Sequence, residues 1–475
     1  MKRNTEIYDS VAEMLGQTPM LRLHRIPEAD GIKCEMLVKC EYLSYVGGSI
    51  KDRIAFQMVN NAEKEGLIKP GDTLVAPSSG NTGTGVALAS VLKGYNLEVI
   101  YSKKFTEDKA RILRALGAKV YKCPTGVAPR SEESDVGMGI ALRGSPGLHT
   151  IEQFYDPGNP QAHIENTGPE IWEQTKGKVD YLVTCAGSGG HYTGLSTYLK
   201  QMNPDLKTIV VDPVGSILAQ PESLNTTREP WLVEAAGKDH VSHIQQRNLV
   251  DEWYKIPDRE TFRTARRIIK EEGILCGGSC GAVLAGALRL AKTLPADKTI
   301  VMVFPDSIRN YLSTFADNNW MEAQGFMSKE DLVTEQTKYF RSKTFKDLDA
   351  SDLPLVDGNT TIGEAMPLFE QHDTLHLPVV DEEKNLLGVI AVCNINNLLL
   401  NEKANKSTQV KDAILKGKPQ VIEDEAMALD IVEEIVQEHC FIVYVKREEG
   451  KQAVASAKIV STIGFIKKTN APGFQ

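Results

Sequence analysis

Long apolar runs are missing from this chain. None approaches the roughly 20 residues that a membrane helix needs, so no membrane partner is expected. A surplus of basic charge is missing too. The 54 Lys and Arg are outnumbered by 63 Asp and Glu, for a net charge of −9, and no basic stripe stands out. That argues against nucleic acid as the main partner. The eight cysteines form no Cys-x-x-Cys pair. Cys276 and Cys280 are close, but no His or second Cys pair completes a zinc set, so no metal is expected. Reduced, mostly buried thiols are the simpler expectation for Cys34, Cys40, Cys123, Cys185, Cys276, Cys280, Cys393 and Cys440. A Gly-x-x-x-x-Gly-Lys-Ser/Thr loop is absent, which excludes ATP bound in that manner. The segment Met1–Ser10 has two basic residues with no apolar core behind them, so no signal peptide is expected. A cytoplasmic protein follows from these absences.

What is present suits a folded chain of several domains. Hydrophobic residues make up 41% and charged residues 25%. A length of 475 residues is too much for one core and implies two or three domains. From about Thr18 to Met327, short β-rich runs alternate with amphipathic stretches. Strands are expected at Met36–Tyr42, Thr73–Ala76, Leu97–Ser102, Lys119–Cys123, Tyr181–Cys185, Thr208–Val211 and Thr299–Phe304. Helices are expected at Lys51–Glu65, Asn81–Lys93 and Leu195–Met202. Apolar runs separated by helices predict an α/β fold with open, mostly parallel sheets and helices on both faces. Residues 1–327 form the expected catalytic domain, built of two α/β subdomains. The charged stretch 328–344 reads as a linker. Residues 345–475 contain a weak repeat at an offset of ~65 residues, too long for a solenoid unit, and read as an α+β pair of modules. One copy runs through Pro354–Val356, helix Ile362–Gln371 and strands Leu377–Val380 and Leu386–Val392. The other runs through Pro419–Val421, helix Ala426–Glu438, strand Phe441–Val445, turn Lys446–Gly450 and strand Ile459–Ile463.

Four motifs fall just beyond expected strands, where ligands sit in open α/β sheets. The first is Gly47-Gly48-Ser49-Ile50-Lys51. A lone lysine is usually a solvated charge, but Lys51 follows a tight turn and opens a helix. The positive end of a helix dipole lowers an amine's pKa, and a neutral amine is what Schiff-base chemistry requires. The second is Ser78-Ser79-Gly80-Asn81-Thr82-Gly83, which opens the next helix. Hydroxyls and backbone N–H groups at a helix start suit a carboxylate, although Ser and Asn are also ordinary caps. The third is Gly187-Ser188-Gly189-Gly190-His191, a strand-to-helix turn whose backbone could wrap a phosphate or simply turn tightly. The fourth is Ser307, a hydroxyl just past a strand and equally a helix cap.

Together the four resemble the β-family, or fold type II, pyridoxal phosphate enzymes, over about residues 5 to 326. Leu15-Gly16-Gln17-Thr18-Pro19-Met20, Asp212–Ala219 and Pro305–Tyr311 carry the resemblance further. Residues 345–475 resemble tandem CBS domains. The implied cofactor is pyridoxal 5′-phosphate, joined to Lys51 as a Schiff base. Asn81 would contact its ring hydroxyl, Gly187, Ser188, Gly189, Gly190 and His191 its phosphate, and Ser307 its ring nitrogen. A neutral hydroxyl there keeps the ring a weaker electron sink. Ser78, Ser79, Thr82 and Gln153 would receive the substrate carboxylate. The implied activity is that of a lyase: β-replacement of the L-serine hydroxyl by the L-homocysteine thiol. Cysteine synthesis, sulfide release, or a non-catalytic sensor that binds cofactor are the alternatives. The chain differs from the family pattern at Tyr45-Val46, His191-Tyr192 and Ala235–His240, and it lacks the Cys and His of a haem-binding extension, so no haem is expected. Some relatives take S-adenosylmethionine at the CBS pair with an Asp toward the ribose. Asn394 and Gly464 stand at those positions here, and a structural or autoinhibitory module is the alternative. The resemblance implies a homodimer.

Overall fold

A computed structural model describes residues 7–78, 80–102, 107–124, 131–142, 144–328, 331, 342–348, 350–416, 419–424, 426–427, 431–432, 435, 441–448, 451–461 and 465. The chain forms two compact units, Met1–Lys329 and Glu330–Gln475. The division falls inside the stretch read as a linker, most of which lies outside the described residues.

The first unit contains two open sheets. The larger one comprises β1 (Met20–Arg22), β2 (Glu35–Cys40), β7 (Tyr181–Cys185), β8 (Lys207–Pro213), β9 (Glu252–Ile256) and β10 (Thr299–Phe304), in the order β1-β2-β10-β7-β8-β9. Only β1 runs antiparallel to its neighbour. The smaller sheet comprises β3 (Thr73–Ala76), β4 (Asn96–Ser102), β5 (Lys119–Cys123) and β6 (Leu148–Thr150), all parallel, in the order β5-β4-β3-β6. Every residue of β10 is buried, which explains its continuous apolar run. Side chains alternate between the two faces. Ile300, Met302 and Phe304 pack with the helix Gly278–Ala291, while Val301 and Val303 pack on the other side with Leu195 and Leu199 of the helix Gly190–Met202. This is the α/β fold with helices on both faces that the sequence pattern predicts.

One boundary differs. The helix expected from Leu195 begins at Gly190, so Gly190 and Gly194 lie inside it. Both glycines are spent on close packing. A Cβ at Gly190 would lie 1.9 Å from Asn159 Oδ1, and one at Gly194 would lie 2.3 Å from the Pro160 carbonyl.

The second unit holds two three-stranded sheets, β11 (Val356–Asp357), β12 (His376–Val380) and β13 (Leu386–Ala391), and β14 (Gln420–Ile422), β15 (Phe441–Arg447) and β16 (Val454–Ser461). Each has one parallel and one antiparallel pairing in the same order, which is the repeat in three dimensions. The hairpin partner of β15 begins earlier than the expected Ile459, and β15 runs on into the expected turn. Polar residues take part in this ladder, Lys446 opposite Ser456 and Lys458 opposite Tyr444. Thr361 and Glu364 form a capping box that starts the helix Ile362–Gln371. Most of the expected helix Ala426–Glu438 lies outside the described residues.

Candidate active site

In a parallel sheet the strand ends gather on one edge, and three of the motifs meet there, two through backbone contacts and the third through a side chain. The turn after β2 is held by Asp52, whose Oδ2 accepts from Ser44 Oγ (2.5 Å), Gly47 N–H (2.8 Å) and Ser49 N–H (3.4 Å). Gly48 adopts φ +75° in this turn, a conformation that favours glycine. Lys51 is the first residue of the helix Lys51–Lys64. Ile50 N–H donates to the Pro305 carbonyl at 2.8 Å, and Ser49 forms a β-bridge with Asp306. Lys51 is thereby brought beside the segment that carries Ser307. Asn81 joins the same group: its Nδ2 donates to Asp306 Oδ2 at 2.7 Å, and its Oδ1 accepts from Asn310 at 3.0 Å. Tyr311 OH also donates to Asp306 Oδ2, at 2.6 Å. Ser307 caps a short turn by accepting from Arg309 N–H and donates to the Leu275 carbonyl, both at 3.3 Å.

The glycine turn follows β7. Among the described residues, no acceptor takes the backbone N–H groups of Gly187 through Tyr192, and the first N–H engaged is that of Thr193, with the Gly189 carbonyl (3.1 Å). Free N–H groups at the start of a thirteen-residue helix make an anion seat. The turn is braced from behind. The Ser188 carbonyl accepts from Ser242 Oγ and from Gln245 Nε2. Asn159 Nδ2 reaches both Ser188 Oγ (3.1 Å) and the Gln153 carbonyl (2.7 Å). Thr82 Oγ1 donates to Gln153 Oε1 at 2.7 Å. So Ser188, Gln153 and Thr82 belong to one connected set, and Ser78 lies part-buried just before it. Ser79 lies outside the described residues.

His191 turns its ring to β7, where Nε2 meets Thr184 Oγ1 at 2.6 Å. Burial, with a smaller contribution from the nearby Lys51 charge, lowers its pKa to about 3. The imidazole is neutral at pH 7. What His191 offers the anion seat directly is its backbone N–H.

The Lys51 amine makes no hydrogen bond or ion pair among the described residues. Burial lowers its pKa to about 8. The charge of Lys238 adds to that effect, while Cys185 and Asp306 oppose it. Burial is thus the leading cause, where the sequence pointed to the helix dipole. Asp306 has its own pKa raised by burial, against the hydrogen bonds from Tyr311 and Asn81.

Sequence reasoning missed Asp52, Asn159, Asp306, Gln245 and Lys238. Asp306 was adjacent to a residue already singled out, and Asp52 followed Lys51. Asn159 gave no local signal, because its role depends on two segments distant in sequence. Cys34, Cys40, Cys185, Cys276 and Cys280 are buried and free, Cys123 is buried, and Cys393 is exposed and free. No group of His, Cys, Asp or Glu among the described residues could hold a metal ion. No helix there is long and apolar enough to cross a membrane.

An unengaged amine with a depressed pKa and a turn of free N–H groups both lie at the carboxyl ends of parallel strands of one sheet. That combination fits pyridoxal phosphate, and the fold and site define an enzyme that depends on it. The chain belongs to the pyridoxal-phosphate dependent enzyme family, whose model matches residues 11–306, and a CBS domain model matches residues 345–401. It is similar to the cystathionine β-synthase of Apis mellifera, with 35% identity over 466 residues that cover 98% of this chain and 92% of the relative. The Dictyostelium discoideum cystathionine β-synthase is 39% identical over 86% of this chain and 82% of its own. The crystal structure of an O-acetylserine dependent cystathionine β-synthase from Helicobacter pylori aligns with a TM-score of 0.60 at 30% identity, covering 65% of this chain and 99% of that one.

Proposed function

We propose that this chain replaces the β-hydroxyl of L-serine with the thiol of L-homocysteine, giving L-cystathionine and water. The observation that carries this reading is the similarity to a cystathionine β-synthase over 98% of the chain, catalytic and CBS regions together. Pyridoxal phosphate, when bound, supplies the electron-deficient ring that stabilises negative charge at the serine Cα. Lys51 would hold the cofactor aldehyde, with Asn81 at the ring, Ser307 toward its nitrogen, and Gly187 to His191 around the phosphate. Ser78, Ser79, Thr82 and Gln153 would receive the serine carboxylate at the start of the helix Asn81–Lys93, where the helix dipole favours an anion.

The Lys51 amine takes the Cα proton and later returns it. A pKa of about 8 suits that work, since the amine is neither fully charged nor a feeble base near neutral pH. The serine hydroxyl leaves with a proton, the thiol of the acceptor loses one, and the new carbon–sulfur bond forms at Cβ. Buried free thiols suit a reducing, cytoplasmic setting. A homodimer and a catalytic region of residues 1–327, a linker of 328–344 and a CBS pair of 345–475 complete the proposal. In the CBS region Asn394 Nδ2 donates to the Ala413 carbonyl at 2.9 Å, and Gly464 lies outside the described residues.

The test is a serine-plus-homocysteine assay on the cofactor-loaded full chain, run with and without S-adenosylmethionine, and repeated with sulfide as acceptor. Cystathionine should form. Lys51→Ala should lose both the product and the visible absorbance of lysine-linked cofactor. Loaded protein that forms no cystathionine would overturn the reading, and preferential use of sulfide would move it to cysteine synthesis.

A further inference from the structure

Asp306 is fully buried and held by its own backbone. Its carbonyl accepts from Gly277 N–H at 2.8 Å, and the bridge to Ser49 fixes it on the other side. A Cβ at Gly277 would lie 2.0 Å from Asp306 Oδ1, so glycine there makes room for the carboxyl group. One oxygen, Oδ2, takes both side-chain hydrogen bonds, from Asn81 Nδ2 (2.7 Å) and from Tyr311 OH (2.6 Å). Oδ1 is buried with no hydrogen-bond partner among the described residues. Oδ2 is therefore an acceptor whether or not the group carries a proton, because a proton would sit on Oδ1.

Asn81 opens the helix Asn81–Lys93, which follows β3 of the smaller sheet, whereas Asp306 follows β10 of the larger one. A carboxamide has a donating end and an accepting end of nearly the same shape, and its neighbours decide which way it faces. Turning Asn81 over would set its Oδ1 against Asp306 Oδ2, two acceptors at hydrogen-bond distance. Asn310 donates to Asn81 Oδ1 at 3.0 Å, but it is itself a carboxamide and can turn to suit. Asp306 cannot. Direction thus passes from Asp306 to Asn81 and on to Asn310.

We propose that Asp306 is a positioning residue: it fixes which end of the Asn81 carboxamide meets the cofactor ring. This rests on the reading under Proposed function, which puts Asn81 at that ring. With Nδ2 tied to Asp306, one Asn81 N–H is left to donate. A donor at the ring oxygen favours its ionised form, with the proton on the lysine-linked nitrogen. That form absorbs visible light, and the form that keeps the proton on the ring oxygen absorbs in the near ultraviolet. The charge of Asp306 also acts on the Lys51 amine, which it draws toward the protonated form. Charge and orientation must therefore be separated.

The test uses the full chain and three variants of unchanged shape: Asp306→Asn, Asn310→Asp and the two combined, with Asn81→Ala as reference. Each is read by the absorbance of the loaded protein at one pH and by cofactor titration of the stripped protein. Charge effects of the two single variants add. The combination moves the carboxylate to the other end of the Asn81 carboxamide and should turn it over. Its Kd should rise about tenfold beyond the product of the two single effects, with a near-ultraviolet band as strong as in Asn81→Ala. The carboxylate gained at 310 favours a protonated nitrogen, so it does not produce that band by itself. A combined variant that matches the sum of the singles overturns the inference while Asn81→Ala still changes band and Kd. If Asn81→Ala changes neither, the placement of Asn81 at the ring fails and the inference falls with it.

Discussion

Lys51→Met tests whether the amine is held at a cost. Its pKa drops from 10.5 to about 8 because burial disfavours the charged form. That depression converts to roughly 3 kcal/mol of instability when the lysine is charged in the cofactor-free protein. The direction with pH is specific. Below about pH 8 both folded and unfolded chains hold the proton, and the penalty is present in full. Between about 8 and 10.5 only the unfolded chain holds it, so the folded lysine form gains stability as pH rises. Methionine matches the length of the side chain and carries no charge. Stripped of cofactor, Lys51→Met should therefore exceed the parent by roughly 3 kcal/mol at about pH 7, with the gap closing toward pH 10. The assay is urea unfolding of both stripped proteins at the two pH values. Other groups that titrate at alkaline pH are common to both and cancel in the difference. A gap that does not change with pH, or a parent more stable than the variant at about pH 7, would refute the reasoning. The same substitution removes the cofactor linkage, so stability would be gained where function is lost.

Two further substitutions probe the scaffold beneath that amine. Arg53, two residues from Lys51, bonds Glu41 (2.8 and 2.9 Å) and Glu170 (both 2.8 Å), and Lys39 also bonds Glu170 (2.6 Å). Arg53→Met strands the fully buried Glu41 and should cost about 3–5 kcal/mol in chemical denaturation. Burial pulls the Glu170 pKa up, but Arg53 and Lys39 outweigh it and hold the value at about 2. That contribution is present above the ordinary carboxylate range near 4.5 and is lost as pH falls toward 2, so the variant's stability should decline less steeply in acid. Gly190→Ala puts a Cβ 1.9 Å from Asn159 Oδ1. It should cost about 2 kcal/mol and weaken pyridoxal phosphate binding about tenfold, as read by cofactor titration.

Strands with unbroken apolar runs were legible because burial on both faces leaves no alternation to confuse them. Thr73–Ala76, Tyr181–Cys185 and Thr299–Phe304 have the bounds their sequences suggest, and so does Lys119–Cys123, an edge strand whose residues are mostly exposed. Leu148–Thr150 and Glu252–Ile256 were not legible. The first is three residues long, and the second mixes Glu and Lys into its edge position. Glycine misled at the helix Gly190–Met202, because a residue that usually breaks helices was placed there to admit Asn159 and Pro160. The same limit applies to the site. Lys51, Asn81 and Ser307 carry local marks, a turn before or a helix after. Asp306 and Asn159 are defined by what crosses to them from other strands, and a linear reading has no means to see that.

Asn159 has one NH2 group and gives it to two neighbours, the Gln153 carbonyl on one side and the Ser188 hydroxyl on the other. The two halves of the groove are stitched together by that single carboxamide. The spacing between the Gln153 backbone and the Ser188 side chain is thus set by a residue that belongs to neither segment, and a shorter or longer side chain at 159 would leave one of the two without its donor.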